Sequence, residues 1–227
     1  MQTYLITGAA QGLGKALATN LVNRGHQVIL LDKAKKALNH FYDELNSELV
    51  ALYPMDLLGA NIDHYKELQE ILSKEYGQLN GVFLCAKVLP AFSAIDNFDY
   101  KQWYEVMHTN LDANFHMTQT MLPLLIEAKN GKLVAILDQD VEAHPAYYGA
   151  YGVAKAGLEQ LMVTVGVETT NADVDIYTAK LESFSSEARN RLFPGQDPTN
   201  LPTAADMAER ILGAILDAKA HKTIQKR

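Results

Sequence analysis

The first 32 residues restrict the possible folds of this chain more than any other segment. Residues 2–7 (QTYLIT) form a short apolar run rich in β-forming side chains, and residues 13–24 follow the period of a helix. Gly8, Gly12 and Gly14 lie at the junction, and Gly25 is placed to end the helix. A second apolar run, residues 27–31, stops at Asp32. The chain therefore begins with a strand, a glycine-rich loop, a helix, a strand and an acid.

This order of elements is typical of a βαβ unit that binds a dinucleotide. Glycines let backbone N–H groups approach a pyrophosphate at the positive end of the helix. Asp32 can accept hydrogen bonds from both hydroxyls of the adenosine ribose and would repel a 2′-phosphate. A tight turn that only packs the helix would explain the glycines alone. The acid that ends the second strand favours the cofactor site over that alternative.

Strands and helices alternate along the rest of the chain, which predicts an α/β fold with a Rossmann-like, doubly wound parallel sheet. Its 227 residues, of which 48% are hydrophobic, are enough for one sizeable core in a single domain. We expect residues 1–137 to bind the dinucleotide and residues 138–227 to carry the catalytic pair and the substrate loop. The further strands are predicted at residues 48–53, 80–85, 132–137 and 174–179, and the further helices at residues 34–46, 62–74, 100–129, 148–170 and 203–219.

Three local features refine this prediction. Asn61 is a suitable N-cap for the helix that follows it, and Gly77 ends that helix. Pro123 should bend or divide the long helical region of residues 100–129. We expect irregular loops at residues 87–98 and from residue 180 to residue 202, and one short strand at most in residues 221–227.

The composition excludes several classes of partner and site. A net charge of −7, without a long basic run, argues against nucleic acid and against an anionic membrane surface. No long uncharged apolar run predicts a membrane span. The single Cys85 excludes an intrachain disulfide framework and is expected to be a packed thiol. The N-terminus has no basic region and no cleavage site typical of a signal peptide, so we expect a cytoplasmic protein.

Tyr151 and Lys155 are four residues apart, so on a helix their side chains lie on one face, a turn apart. A nearby ammonium lowers the pKa of a phenol, and such a tyrosine can exchange a proton with an alcohol or carbonyl oxygen. The spacing alone has little specificity. The pair gains weight only because it lies in a dinucleotide-binding chain.

These motifs together resemble the classical branch of the short-chain dehydrogenases/reductases, and the resemblance covers essentially the whole chain. Residues 7–14, TGAAQGLG, have that branch's Thr-Gly-x-x-x-Gly-x-Gly spacing. Residues 79–83 and 107–123 are most similar to the YciK-type bacterial oxidoreductases of the family. The other matching positions are Asp56 and Leu57 for adenine, Asn110 for a break in the long helix, and the catalytic pair Tyr151 and Lys155.

The resemblance implies a role for each of these residues. Tyr151 would be the general acid in reduction and the base in oxidation, and Lys155 would lower its pKa and bind the nicotinamide ribose. Asn110 would hold a water of the proton relay. Asp32 would favour NAD(H), although Lys33 beside it could meet the 2′-phosphate of NADP(H). The cofactor site would comprise Gly8, Gln11, Gly12, Leu13, Gly14, Asp32, Asp56, Leu57, Ala86, Tyr151, Lys155 and Ser186.

The largest departure from the family pattern is Asp138, which stands where the family has a catalytic serine. An ionised carboxylate cannot donate a hydrogen bond to the substrate oxygen, would raise the pKa of Tyr151 and would repel a developing alkoxide. Loss of one such donor slows other enzymes by roughly 10²–10³-fold. The sequence therefore leaves two alternatives, an oxidoreductase for a small alcohol or carbonyl substrate and a catalytically impaired homologue that acts as a dinucleotide-binding or scaffold protein.

Two more departures fall in the same region. Of the family's Asn-Asn-Ala-Gly motif only Ala86 survives, and Lys87 replaces the glycine that leaves room for the adenosine half of the cofactor. Glu182 replaces the glycine of a Pro-Gly pair and should lie near the nicotinamide. Ser186 falls where the family often has a threonine that binds the carboxamide.

Several other side chains are weaker candidates for function. His108 and His116 have no third ligand, so we expect no metal site, and His144 could face the pocket. Asp138 and Asp140 are more typical of a helix cap than of a paired-carboxylate site. Tyr147 and Tyr148 should line the cleft, and a cleft arginine would favour an acidic substrate. The loop of residues 180–202, which could cover the cleft, contains Arg189, Arg191 and Phe193.

The resemblance also implies an assembly. In this family the two long helices usually form a four-helix contact between subunits. We therefore expect a homodimer through residues 100–129 and 148–170, with a tetramer also possible.

Overall fold

The fold is built around one β-sheet. The structure is a computed structural model, which describes residues 1–217 and 224–227. Its strands are β1 (Thr3–Thr7), β2 (Gln27–Asp32), β3 (Val50–Pro54), β4 (Gly81–Leu84), β5 (Gly131–Asp138), β6 (Val174–Leu181) and β7 (Ile224–Lys226). The spatial order is β3-β2-β1-β4-β5-β6-β7, parallel throughout except that β7 pairs antiparallel with β6. The predicted doubly wound sheet and the single short strand of the tail are confirmed.

Helices cover both faces of the sheet. They are α1 (Gly12–Asn23), α2 (Lys35–Leu45), α3 (Ile62–Tyr76), α4 (Tyr100–Met107), α5 (Ala113–Glu127), α6 (Gln139–Ala143), α7 (Gly149–Glu168), α8 (Glu187–Leu192) and α9 (Ala204–Ile215). Asn61 caps α3 as predicted, because its side chain accepts hydrogen bonds from the N–H groups of Asp63 and His64. The predicted extension of the last helix to residue 219 lies outside the described residues.

The core is divided into two layers by the sheet. Along β1, Leu5 packs on one face while Tyr4 and Ile6 pack on the other, as the two-residue period of a strand requires. The layer around Leu5 contains buried side chains of α3, α5 and α7, and the opposite layer those of α1, α2 and α9. The strands are therefore buried on both faces, as expected of a parallel sheet with helices on each side.

The long helical region is interrupted, but not where its proline predicted. A π-helical segment, His108–Asp112, separates α4 from α5, whereas α5 continues through Pro123. The residues next to this proline, Met121, Leu124 and Leu125, are buried, so tertiary packing retains the helix despite the missing N–H group. The prediction that Pro123 divides the region is therefore wrong.

Two short helices were missed by the sequence analysis. The segment after β5 forms α6, and the loop predicted to be irregular contains α8. Both are too short to show a hydrophobic period, but each begins with a side-chain cap, from Asp138 and Ser186 respectively. In the part of the chain that the structure describes, no helix is long and apolar enough to cross a membrane.

Candidate active site

The candidate site is a cleft at the carboxyl ends of the parallel strands. The strand order reverses between β1 and β4, and open α/β sheets bind ligands at this topological switch point. The ends of six strands, or the loops that follow them, contribute to the lining. One representative of each is Gly12 after β1, Asp32 at the end of β2, Asp56 after β3, Ala86 after β4, Asp138 at the end of β5 and Glu182 after β6.

The first loop requires or favours glycine at three positions, for different structural reasons. A Cβ on Gly14 would lie 2.2 Å from the Gly8 carbonyl oxygen, and one on Gly8 would lie 2.8 Å from Cα of Ala86. These two positions therefore require glycine for close backbone packing. Gly12 has φ +53° and a Cβ there would meet nothing within 4 Å. Its neighbours Gln11 and Leu13 also line the cleft, so the N-terminus of α1 faces open space that suits a pyrophosphate.

Asp32 joins the second strand to the glycine loop. Its Oδ2 accepts a hydrogen bond from the Ala10 N–H at 3.1 Å, and its Oδ1 accepts from the Ala34 N–H at 2.9 Å. Each carboxylate oxygen has two lone pairs, so both can still accept a ribose hydroxyl. Lys33, Asp56 and Leu57 line the cleft beside it, at the end where the sequence places adenosine.

Thr7 has a role that the sequence analysis did not assign. Its buried hydroxyl accepts hydrogen bonds from the N–H groups of Cys85 at 3.0 Å and Ala86 at 3.1 Å. The first motif residue thereby fixes the end of β4 against β1. Cys85 is half-buried and lines the cleft, and burial raises the pKa of its thiol to about 12, as expected of an unreactive thiol.

The structure brings the predicted catalytic pair together at the centre of the cleft. Tyr151 and Lys155 lie on α7, line the cleft and are 1% and 5% exposed. The Lys155 Nζ donates a hydrogen bond to the Ile136 carbonyl at 2.7 Å and lies 5.6 Å from the centroid of the Tyr151 ring. The ammonium is thus anchored on β5 rather than bonded to the phenol.

Asp138 is part of this centre. Its Oδ2 accepts a hydrogen bond from the Tyr151 hydroxyl at 3.4 Å, and its Oδ1 accepts from the Asp140 N–H at 3.0 Å. The second bond caps α6, which confirms the capping role expected of this carboxylate. It also lies against the proton-carrying residue.

The electrostatics of the pair bear on two opposing predictions for Tyr151. Burial, followed by the charge of Asp138, raises the pKa of Tyr151 well above its usual value of 10, so the direction expected of Asp138 is confirmed. The lowering expected of Lys155 does not prevail. Burial and the charge of Lys87 lower the pKa of Lys155 itself to about 7, so its ammonium is only partly populated at neutral pH.

Asn110 lies in the π-helical segment, as the resemblance implied for a helix break. Its buried amide donates to the Val88 carbonyl at 2.7 Å and accepts from the Val88 N–H at 2.8 Å. The backbone carbonyl of Asn110 accepts from the side chain of Asn114 at 2.8 Å. Next to it, Thr109 lines the cleft with a buried hydroxyl that has no hydrogen-bond partner among the described residues. The sequence analysis missed Thr109, whose only signal was its neighbour.

Aromatic rings form the wall of the cleft beside Tyr151. The Phe92 ring centroid is 5.1 Å from that of Tyr148 and 5.3 Å from that of Phe193, and Tyr148 is 6.1 Å from Tyr151. Tyr148 lines the cleft as predicted. Tyr147 is exposed and does not line the cleft. It has a positive φ of 69° and lies just before α7.

One other prediction for this region is wrong: His144 follows α6, is exposed and does not line the cleft. Arg189 does line the cleft, and its Nη1 donates to Asp140 at 2.9 Å. The preference for an acidic substrate stays a prediction. Arg191, two residues further along α8, is exposed and outside the lining.

The loop after β6 is held over the cleft by side-chain contacts. Asp140 also accepts a hydrogen bond from the Ser183 hydroxyl, and Glu182 forms an ion pair with Arg210. Ser186 lines the cleft and caps α8, accepting from the Arg189 N–H at 3.3 Å. The loop is therefore tied to both α6 and α9.

No metal centre is formed by the described residues. His108 forms an ion pair with Asp112 at 3.4 Å, and the His116 ring lies 5.3 Å from the Tyr65 ring. Neither histidine belongs to a group of three potential metal ligands within residues 1–217 and 224–227.

Comparison with known proteins supports the interpretation of this cleft as the active site of an enzyme. The family model described as short chain dehydrogenase matches residues 2–197. The oxidoreductase YciK of Escherichia coli (strain K12) is 28% identical over 222 residues, which cover 96% of this chain and 88% of that protein.

Solved structures that resemble this one include cofactor complexes. A short chain dehydrogenase from Shigella flexneri 2a, complexed with NADP, has a TM-score of 0.87 and 26% identity over 92% of this chain and 90% of its own. A short chain dehydrogenase from Escherichia coli CFT073, complexed with NADPH, has a TM-score of 0.87 and is 27% identical, with 94% of this chain and 90% of that chain covered.

Proposed function

This chain belongs to the short chain dehydrogenase family, and we propose that it transfers a hydride between NAD(H) and a small alcohol or carbonyl compound. The observation that carries the proposal is the position of Tyr151 and Lys155 in the same cleft as the glycine loop. Residues 1–137 would mainly bind the dinucleotide, and residues 138–227 would supply the catalytic pair and the substrate loop.

The residues of the cleft fit a dinucleotide. Where a Cβ on Gly12 would project there is no atom within 4 Å, so the loop leaves room for a pyrophosphate. Asp56 and Leu57 would contact adenine, Lys155 the nicotinamide ribose, and Ser186 the carboxamide. The bound cofactor would supply hydride transfer at its nicotinamide ring.

The chain's own residues would handle the proton. With a raised pKa, Tyr151 is a neutral phenol at physiological pH and can donate to a substrate oxygen. Asn110 would support the proton relay from the π-helical segment, and its bonds to Val88 would keep the loop after β4 in place.

The preference for NAD(H) rests on Asp32. Its carboxylate lines the cleft, and a 2′-phosphate beside it would be repelled. The complexes of related proteins with NADP and NADPH weigh in the other direction, and Lys33 is the residue of this chain that could bind a 2′-phosphate. In Asp32→Ser, we expect the ratio of NADPH to NADH affinity to rise at least about tenfold, equivalent to 1.4 kcal/mol. An unchanged ratio in a titration of both cofactors would remove Asp32 from this role.

A catalytically impaired homologue remains the second candidate, since Asp138 bonds the phenol where a hydroxyl donor is expected. The test is a turnover assay of reduced nicotinamide consumption with a panel of carbonyl compounds, in wild type and in Tyr151→Phe. We expect turnover in the wild type, and loss of turnover with retained cofactor binding in the variant. Cofactor binding without turnover in the wild type would support the impaired homologue instead.

We further propose a cytoplasmic homodimer that uses the surface of α4, α5 and α7. This surface exposes Tyr104 (61%), Phe115 (43%) and Val153 (49%), large side chains that a partner helix pair could cover. The oligomeric state of the purified protein can be measured by analytical sedimentation.

A further inference from the structure

Asp138 gives the substrate end of the cleft a chemistry that suits nitrogen better than oxygen. We propose that the substrate is an imine bound as its iminium cation, with Asp138 as the counter-ion, and that reduction yields an amine. The inference rests on the proposed function, because it takes the same cleft and the same reduced nicotinamide as hydride donor. It names the class of substrate that the cleft recognises.

The carboxylate is fixed in position by two donors. The Asp140 N–H holds Oδ1 at 3.0 Å and the Tyr151 hydroxyl holds Oδ2 at 3.4 Å. An ionised carboxylate only accepts hydrogen bonds, so it can bind an N–H of an iminium or ammonium group but cannot stabilise the developing alkoxide of a carbonyl substrate. The same oxygen atoms that are unsuited to ketone reduction are therefore suited to a cation.

The aromatic wall points to the same ligand. The Phe92 ring is in contact with those of Tyr148 and Phe193, and all three line the cleft beside Tyr151. Aromatic faces attract cations, and an organic cation between rings and a carboxylate is held by both. Arg189 already lies 4.4 Å from the centroid of Phe193, so this wall binds one cation within the protein itself.

Asp138 forms no ion pair with the other described residues, although two lysine charges act on it. The carboxylates of Asp140 and Glu182 are paired with Arg189 and Arg210. Lys155 directs its Nζ to the Ile136 carbonyl, and burial lowers its pKa to about 7. Lys87 is the competing cation, since it lines the cleft and its charge interacts with that of Asp138, while burial lowers its pKa.

The proposed step balances without any further reagent. The imine nitrogen takes a proton from Tyr151 or from solvent, and Asp138 stabilises the resulting cation. The iminium carbon then accepts the hydride with its electron pair, the π electrons of the C=N bond move to nitrogen, and a neutral amine leaves. One reduced nicotinamide dinucleotide is oxidised for each imine reduced.

A binding experiment tests the site without turnover. Benzylamine, an ammonium ion at neutral pH, and benzyl alcohol, its neutral counterpart, are titrated calorimetrically into the protein with and without oxidised cofactor. We expect the ammonium ligand to bind at least about tenfold more tightly, as a charge-assisted bond to a half-buried carboxylate allows. Equal affinity for the two ligands would overturn the inference.

Asp138→Asn is the matched control, because asparagine is an equally good N-cap for α6, and it replaces the charged oxygen beside Tyr151 with a neutral NH2 group. The preference for benzylamine should disappear in this variant while cofactor binding and thermal stability are retained. A purely structural role of Asp138 would instead weaken both ligands equally, and a preference that survives in Asp138→Asn would also overturn the inference.

Turnover separates this inference from the proposed function. The substrates are 3,4-dihydroisoquinoline, a cyclic imine, and 1-tetralone, a ketone of the same bicyclic size. We expect the wild type to favour the imine at least about tenfold and Asp138→Ser to shift that ratio toward the ketone. If the ketone is reduced and the imine is not, only this inference fails. If neither NAD(H) nor NADP(H) binds, the proposed function fails and this inference with it.

Discussion

The carboxylate of Asp138 sets the charge beside Tyr151 at the substrate end of the cleft. Asp138 accepts a hydrogen bond from the phenol of Tyr151, and its charge helps to raise the pKa of that phenol. Tyr151 is consequently a neutral phenol at neutral pH. Lys155, buried beside it, has a pKa lowered to about 7. In the proposed function, this arrangement favours the direction in which Tyr151 gives a proton to the substrate.

The pKa of Lys155 predicts a pH dependence of stability. The folded protein releases this proton at about pH 7, whereas the unfolded chain does so at its ordinary value of 10.5. Between these values the unfolded state binds more protons, so this residue makes the protein more stable as pH rises. Lys155→Met lacks the effect. Relative to this variant, we expect wild type to gain roughly 1 kcal/mol of unfolding free energy per pH unit above pH 7, measured by urea denaturation. A difference that is flat with pH would show that the lysine is not desolvated.

The glycine loop offers a prediction with an internal control. Gly12 and Gly25 have φ of +53° and +77°, and at both positions an added Cβ would meet no atom within 4 Å. Alanine should therefore destabilise the protein by a similar amount, of order 1 kcal/mol, in both variants. Only Gly12 lines the cleft. We expect Gly12→Ala to weaken NADH binding at least about tenfold and Gly25→Ala to leave it unchanged, measured by fluorescence titration. Equal affinities would place the pyrophosphate elsewhere.

At the scale of elements, local patterns predicted most of the scaffold. The period of residues 13–24 predicted α1, and the Asn61 cap with Gly77 delimited α3 closely. Features that depend on distant partners were predicted only in part. The helix break lies at Asn110, as the resemblance implied, where the side chain bonds Val88, 22 residues away, whereas Pro123 does not divide the helix. A spacing of four residues carries no information about burial, which together with the charge of Asp138 outweighs the lowering of the Tyr151 pKa expected of Lys155.

The docking of α8 is the contact between elements that most directly shapes the substrate end. Arg189 bonds Asp140, 49 residues away, and Arg191 on the same helix is exposed. Loss of a half-buried ion pair of this kind costs about 1 kcal/mol. In Arg189→Ala, we expect KM for the substrate to rise about fivefold, with faster proteolysis between residues 182 and 202. Arg191→Ala is the control and should resemble wild type in both assays. If the two variants behave alike, the Asp140 contact does not hold the loop.

At the scale of the whole molecule, the topology of the sheet determines where the ligand-binding cleft lies. The strand order and the two-layered core follow from alternating segments that the sequence shows clearly, and they place the cleft at the switch point between β1 and β4. The proposed substrate site combines Phe92, Asp138 and Phe193, which come from the loop after β4, the end of β5 and the end of α8. Their juxtaposition is a property of the folded chain and could not be read from any one segment.

The central claim, that this cleft binds a nicotinamide dinucleotide, is tested most directly by thermal unfolding of the purified protein with NADH, NADPH, NAD⁺ or NADP⁺. A ligand that binds only the folded state stabilises it by about 2.7 kcal/mol at 100 times its Kd. We predict a concentration-dependent rise in Tm, larger for NADH than for NADPH, that Gly12→Ala reduces and Gly25→Ala does not. An unchanged Tm with all four dinucleotides would contradict the account.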